Sequence, residues 1–150
     1  MTVQQPPGAL RVAQLDHVVL RVDDIDRSID WYWRVLGCTV ARRVDKIGFA
    51  QMRAGRSMID ICVASGHVGK ERGAPPAKDG GHNMHHLCLK IESFDEAALV
   101  RHLESQGVKA FDICKRFGAE GYGPCLYIED PDGNWIELKG PSEPPPPGIV

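Results

Sequence analysis

The chain has 150 residues, of which 43% are apolar and 25% are charged, and its formal net charge is -2. This length fits one domain, or two small modules that share a core. A chain without a basic stripe is a poor match for the phosphate backbone, so we expect no nucleic-acid partner. No apolar run approaches the roughly 18 residues that span a bilayer, so we expect no membrane partner either.

The five cysteines are scattered along the chain and form no CxxC pair. An odd number at such spacing argues against a disulfide framework and against a structural zinc ribbon. The N-terminus, MTVQQPPGAL, lacks the charged start and apolar stretch of a secretory signal. These features predict reduced thiols and a cytoplasmic protein.

Residues 1–13 read as a flexible leader because prolines and a glycine break regular structure there. The first module is predicted over residues 14–63. It opens with the strand-like run LDHVVLRV, and a helix that Gly37 ends comes next. Short strand-like runs follow: CTVARRV, IGFAQMR and SMIDICVA. One of three aspartates can cap the helix: Asp23, Asp24 or Asp26.

The second module is predicted over residues 84–140 on the same β-α-β-β-β plan. Its first strand is MHHLCLKI, and Ser93 with Glu96 suggests a capping box at the start of its helix. Gly107 ends that helix. The runs VKAFDIC, PCLYIE and NWIELKG have the composition of the three further strands.

Three segments outside these elements read as loops. Residues 64–83 are rich in glycine, proline and charge and form a linker loop. The tail, residues 141–150, contains four consecutive prolines and continues neither a helix nor an internal strand. The run KRFGAEGYG is either a plain surface loop or a mobile lid that grips an anion with Lys115 and Arg116.

The two modules repeat a pattern of metal-binding residue types. His17 and His86 each open a first strand, and Asp60 and Glu137 each lie in a last strand. Two imidazoles and two carboxylates form a donor set for a divalent metal, and two similar halves can bring them to a shared centre. A lone module would leave one sheet face and its edges uncovered, so pairing is expected.

Three stretches of this chain resemble the vicinal oxygen chelate superfamily, which includes glyoxalases, bleomycin-resistance proteins and extradiol dioxygenases. They are LDHVVLRVDDIDRSIDWYWRVLG, HHLCLKIESFDEAALVRHLESQGV and LYIEDPDGNWIELKG. The resemblance implies an α+β fold in which two βαβββ modules form a curved mixed sheet around one divalent metal. Its ligands would be His17, Asp60, His86 and Glu137. The donor set suits zinc, nickel, cobalt, manganese or iron.

The chain departs from the family pattern at the predicted ligands of both modules. Asp60 stands where Glu, Gln or His is more frequent; being one methylene shorter, it binds the metal directly, binds it through water, or only points into the pocket. His85 precedes His86, and strand alternation would put these two side chains on opposite faces, which leaves His86 for the metal.

The resemblance implies metal-dependent lyase or isomerase chemistry on a small oxygen-rich substrate, through an enediolate or alkoxide that the metal stabilises. Glu137 is the expected general base. Tyr127 and Arg116 are candidate substrate-binding residues, and Tyr127 resembles a tyrosine that extradiol dioxygenases place near their iron.

Two alternatives remain open. One is an extradiol-type dioxygenase with Asp60 outside the metal shell, although the histidine that its signature expects upstream of Tyr127 is missing. The other is a non-catalytic drug-binding protein of the bleomycin-resistance kind. We expect a homodimer, and the sequence leaves open whether the metal site forms within one chain or across two.

Overall fold

Two four-stranded sheets with the same strand plan form the framework of the protein. The computed structural model describes residues 14–74, 80, 82, 84–145 and 147, so the predicted leader lies outside the described residues. Along the chain the elements are β1 (His17–Val22), α1 (Ile25–Leu36), β2 (Thr39–Val44), a 3₁₀ turn (Asp45–Ile47), β3 (Phe49–Ala54), β4 (Ser57–Val63), α2 (His67–Lys70), β5 (Leu87–Lys90), α3 (Glu96–Ser105), β6 (Phe111–Gly118), β7 (Gly121–Glu129) and β8 (Trp135–Lys139).

The strand order is β1-β4-β3-β2 in the first sheet and β5-β8-β7-β6 in the second. In each sheet the first and last strands of the module lie side by side and run parallel. The remaining neighbours are antiparallel and follow one another along the chain. This arrangement of two βαβββ modules confirms the predicted α+β fold.

The helix ends show which local signals were correct. Asp24 caps α1 by accepting a hydrogen bond from the backbone N–H of Arg27, and Gly37 ends the helix in the left-handed conformation. In the second module the predicted capping box is wrong, because Asp95 is the N-cap and accepts from the N–H of Ala98. None of the helices in the described ranges is long and apolar enough to cross a membrane.

The segment KRFGAEGYG is not a loop, which corrects the sequence-based expectation. Strand β6 runs to Gly118 and β7 begins at Gly121, so these residues form a tight hairpin. Gly121 has a φ of 98°, a conformation that favours glycine. The linker also contains more structure than expected, because the short helix α2 lies within it.

Each sheet buries one face in a core that both modules share. In β1, Leu20 and Val22 point inward, and in β4 Ile59 and Ile61 do the same, with exposures of 4% or less. Residues of the second module, Ile136 among them, belong to the same hydrophobic cluster. Because side chains alternate along a strand, the intervening residues occupy the opposite face of each sheet.

The turn between β7 and β8 ties the two modules together through buried carboxylates. Asp130 accepts a hydrogen bond from the hydroxyl of Tyr32 at 2.8 Å, and it also accepts from the backbone N–H groups of Asp132 and Asn134. Asp132 in turn accepts from the N–H of Asp23 at 2.9 Å. The turn that precedes the strand of Glu137 is therefore held directly against α1 of the other module.

We expect Asp130→Ala to lower the free energy of unfolding by about 2–4 kcal/mol, because it leaves the Tyr32 hydroxyl and two turn N–H groups without their acceptor. Urea denaturation measures the change. Glu129→Ala, at the exposed neighbouring position, is the control and should shift stability by less than about 0.5 kcal/mol. An Asp130→Ala protein as stable as the wild type would contradict this account of the turn.

Candidate metal centre

The first predicted ligand pair, His17 and Asp60, lies on the face of the first sheet that points away from the core. In the parallel register of β1 and β4, His17 is opposite Met58 and Val19 is opposite Asp60. Paired residues of neighbouring strands share a face, so His17 and Asp60 are diagonal neighbours on it. The strand pairing therefore brings these two ligands together as the resemblance implies.

Asp60 carries a buried carboxylate that is only partly satisfied. Its residue exposure is 2%, and its Oδ2 accepts a hydrogen bond from Nε2 of Gln51 at 3.1 Å. Its Oδ1 is buried and has no hydrogen-bond partner within the part of the chain that the structure describes. A buried carboxylate oxygen without a donor is costly, and a bound cation would remove that cost.

His17 is oriented by its neighbour Asp16. The Nδ1 atom of His17 lies 2.7 Å from Oδ1 of Asp16, and this hydrogen bond raises the pKa of His17, with a smaller contribution from the charge of Asp60. Engagement of Nδ1 by a carboxylate leaves Nε2 as the nitrogen for a ligand, which is a common arrangement at metal sites.

The second predicted pair, His86 and Glu137, is in direct contact. Nε2 of His86 lies 3.1 Å from Oε2 of Glu137, and Glu137 is 5% exposed. Two donor atoms that each bind a tetrahedral zinc ion at about 2.0–2.2 Å lie roughly 3.4 Å apart. The contact between His86 and Glu137 is close to that separation, and the donor types of all four residues fit such an ion.

Tyr127 contacts the same carboxylate. Strand register places it directly opposite Glu137, and its hydroxyl donates a hydrogen bond to Oε2 at 3.1 Å. Burial, together with the charge of Glu137, raises the pKa of Tyr127 to about 12. The phenol therefore stays protonated near neutral pH and acts as a donor to Glu137.

The expected separation of His85 from His86 is wrong. Strand β5 begins only at Leu87, so the alternation of a strand does not apply to the two histidines. Their Nδ1 atoms lie 2.9 Å apart and their rings are in edge contact. His85 thus lies beside the candidate site, where it can orient the ring of His86.

Two thiols that sequence reasoning missed lie near Glu137. Cys88 is opposite Glu137 in the register of β5 and β8. Burial raises the pKa of both Cys88 and Cys125, and the charge of Glu137 adds to the shift in each. Partial burial, reinforced by Glu137, raises the pKa of Cys88 to about 11, so this thiol is neutral near pH 7. The signal available for Cys125 was the alternation of side chains along a strand, since it is two residues from Tyr127 on β7.

Arg116 is already engaged by another carboxylate. Its Nη2 atom lies 2.7 Å from Oδ2 of Asp112, which raises the pKa of the guanidinium. Lys115, on the same strand, pairs with Glu143 at 2.5 Å. Both cations of the expected anion-gripping segment thus have acidic partners, and the role of Arg116 in substrate binding stays a prediction.

The four predicted ligands lie as two pairs, one on each sheet. Across the described ranges of the chain, no group of three or more His, Cys, Asp or Glu side chains could hold a metal ion. A cavity of about 300 Å³ borders Phe111 and Trp31, but none of the four predicted ligands lines it. The four-ligand centre therefore stays a prediction.

Comparison with known proteins assigns the family. Residues 14–138 match the model of the Glyoxalase/Bleomycin resistance protein/Dioxygenase superfamily, and the chain belongs to that superfamily. It is 33% identical over 138 residues to the glyoxalase domain-containing protein RDO1 of Mycosarcoma maydis, covering 91% of this chain and 73% of that protein.

Two further relatives match over most of their length. The chain is 26% identical over 157 residues to a lactoylglutathione lyase of Pseudomonas aeruginosa, covering 89% of this chain and 86% of the enzyme. Among solved structures, the integron cassette protein VPC_CASS1 from the mobile metagenome of V. Pseudocholerae is similar, with a TM-score of 0.72 and 28% identity. That match covers 91% of this chain and all 100% of the other. The similarity therefore extends across both modules.

We expect Asp60→Asn to stabilise the metal-free protein by about 1–2 kcal/mol, because it removes a buried charge whose Oδ1 has no donor. In saturating Zn²⁺ the variant should instead be less stable than the wild type, since the Asn amide is a weaker metal ligand than the Asp carboxylate. Thermal denaturation with and without Zn²⁺ measures both effects. Asp112→Asn, at an exposed site, is the control and should show no such reversal; an Asp60→Asn protein that is less stable in both conditions contradicts the prediction.

Proposed function

We propose that two copies of this chain form a divalent-metal-dependent lyase or isomerase of the glyoxalase kind, which acts on a small oxygen-rich substrate. The observation that carries the proposal is the contact between His86 and Glu137, whose donor atoms are 3.1 Å apart on a face that is not part of the core. His17 and the unsatisfied oxygen of Asp60 supply a matching half-site. The similarity to a lactoylglutathione lyase supports the lyase assignment.

The positions of the two half-sites support assembly across two chains. Each lies on its own sheet, and the apolar side chain of Val19, beside Asp60, is 47% exposed. A two-fold contact would bring the first half-site of one copy to the second half-site of its partner and would create two identical sites. Reduced thiols fit the cytoplasmic location that we propose with it.

The chain's own residues explain how a proton would move in such a site. A divalent ion held by His17, Asp60, His86 and Glu137 would act as a Lewis acid toward substrate oxygens. Glu137 is the base that takes a proton from the carbon next to a substrate carbonyl and returns it to a neighbouring atom. The Tyr127 hydroxyl donates a hydrogen bond to this carboxylate and holds it in place.

The position of Tyr127 favours a second candidate, the extradiol-type dioxygenase. Its hydroxyl donates a hydrogen bond to Oε2 of Glu137, and its ring contacts the ring of His86 at a centroid distance of 5.2 Å. In this alternative, His17, His86 and Glu137 hold iron and Asp60 stays outside. Oxygen uptake by the iron-loaded protein with a catechol distinguishes the two candidates, because a lyase or isomerase consumes no oxygen.

We expect the wild-type protein to bind about one metal ion per chain. The His17→Ala, His86→Ala double variant should lose this metal, because each half-site is deprived of its imidazole. Elemental analysis after reconstitution and desalting gives the metal content. His67→Ala, at an exposed position on α2, should retain the wild-type content. An absence of metal in the wild type would favour the non-catalytic drug-binding alternative.

Mixing the single variants His17→Ala and His86→Ala tests assembly across chains. When the two proteins are unfolded and refolded together in equal amounts, half of the dimers contain one copy of each variant. Each of these mixed dimers has one intact site of two, so about a quarter of the wild-type metal content should return. If each chain built its own site, no content would return. The unmixed single variants, refolded in the same way, are the controls.

Glu137→Gln tests the role of the carboxylate as a base. We expect a loss of kcat/KM on the order of 10²–10⁴, because the amide keeps the size of the side chain but accepts no proton. The measurement is the rate of solvent deuterium incorporation into an α-hydroxycarbonyl substrate, with metal content determined on the same sample. A variant that retains metal and full exchange activity would rule out Glu137 as the base.

A further inference from the structure

We propose that the substrate of this site carries an aromatic ring next to its metal-binding oxygens, and that Phe111 and Trp135 bind this ring. The inference rests on the function proposed above and adds the substrate class. Five side chains form what we call the ring cluster: His85, His86, Phe111, Tyr127 and Trp135.

The ring cluster is a closed series of contacts. From His86 the contacts run to Tyr127 at 5.2 Å, to Phe111 at 5.8 Å, to Trp135 at 5.1 Å and to His85 at 5.4 Å, and the two histidine rings close the series at 5.1 Å. Most of these pairs meet edge to face. Such distances and angles are favourable for aromatic pairs, and they provide further ring edges and faces for an incoming ring.

Strand register places the ring cluster on the face that carries the candidate metal ligand. Phe111 is opposite Tyr127 on β7, and Tyr127 is opposite Glu137 on β8. Trp135 is two residues from Glu137 on the same strand and therefore points to the same side. Phe111 and Trp135 thus lie on the same sheet face as Glu137, with Tyr127 between Phe111 and the carboxylate.

Exposure separates this cluster from ordinary core packing. Trp135 is 40% exposed, whereas the next residue, Ile136, is fully buried on the opposite face. Single exposed aromatic residues are common on proteins, and Trp33 on α1, at 60%, is one of them. Trp135 differs because its exposed ring continues into Phe111 and Tyr127 at a site with convergent polar groups, which is typical of ligand-binding sites.

Mandelate and lactate are suitable probes because both present the same 2-hydroxycarboxylate oxygens and differ only by a phenyl group in place of a methyl group. We expect the metal-loaded wild type to bind mandelate at least tenfold more tightly than lactate, from the additional apolar area that is buried. Isothermal titration calorimetry gives both affinities without depending on tryptophan fluorescence.

The variants assign the preference to the ring cluster. Trp135→Ala, and separately Phe111→Ala, should reduce the mandelate-to-lactate ratio to less than about threefold. Trp135→Leu, which keeps an apolar side chain without the ring, provides a second variant. Trp33→Ala is the matched control and should keep the full ratio.

Three outcomes would overturn the inference, each without deciding the metal-dependent function. Equal affinities for the two acids in metal-replete wild type would show that no ring is preferred. A preference that survives in Trp135→Ala and Phe111→Ala would place the ring elsewhere. Loss of the dimer in both variants, measured by light scattering, would make the ring cluster a contact between copies.

Failure of the proposed function would look different from these outcomes. The metal content of the same wild-type sample decides it, because a protein without metal cannot use the proposed chemistry whatever ring it prefers. In that case, a mandelate preference that depends on Trp135 would still support the aromatic site, and its absence would overturn that site as well.

Discussion

The parallel pairing of the first and last strands within each module is the constraint on which the candidate site depends. A parallel neighbour requires a long connection, and here α1 or α3 with two further strands supplies it. The same register recurs in both sheets: the residue two positions after the histidine is opposite the acid, as Val19 is to Asp60 and Cys88 to Glu137. Each histidine is thereby brought beside a carboxylate that is distant in sequence.

Because side chains alternate along those strands, the residues that stabilise the fold and those of the candidate site lie on opposite faces of each sheet. One face of each sheet is closed by the helices and holds residues such as Ile61 and Ile136, which are fully buried. The other face holds the two half-sites, and in the second module also the ring cluster around Glu137. Because the core face is rigidly packed, the side chains on the opposite face are held on a fixed backbone, which favours precise positioning of a base and its neighbours.

The contact between α1 and the β7–β8 turn holds the two modules against each other. Asp130 and Asp132 bind the first module through Tyr32 and Asp23, so the two modules share a core. The two predicted ligand pairs lie on separate sheets, and the function proposed above joins them through a second copy of the chain. Without a bound ion, the buried Oδ1 of Asp60 has no donor in the described ranges, and this unsatisfied oxygen destabilises the fold.

The amino-acid sequence by itself determined the module plan and the α+β class, because hydrophobic periodicity, the glycine that ends α1 and the repeated residue pattern are signals that lie within each segment. It did not determine that Asp95 caps α3, that KRFGAEGYG forms a hairpin, or that His85 and His86 lie side by side. Those depend on where strands begin and end, which tertiary pairing decides. Likewise, the meeting of Phe111, Tyr127 and Trp135 around one carboxylate arose only when β6, β7 and β8 came into register, since the residues of such a cluster are far apart in the chain and close only across the sheet.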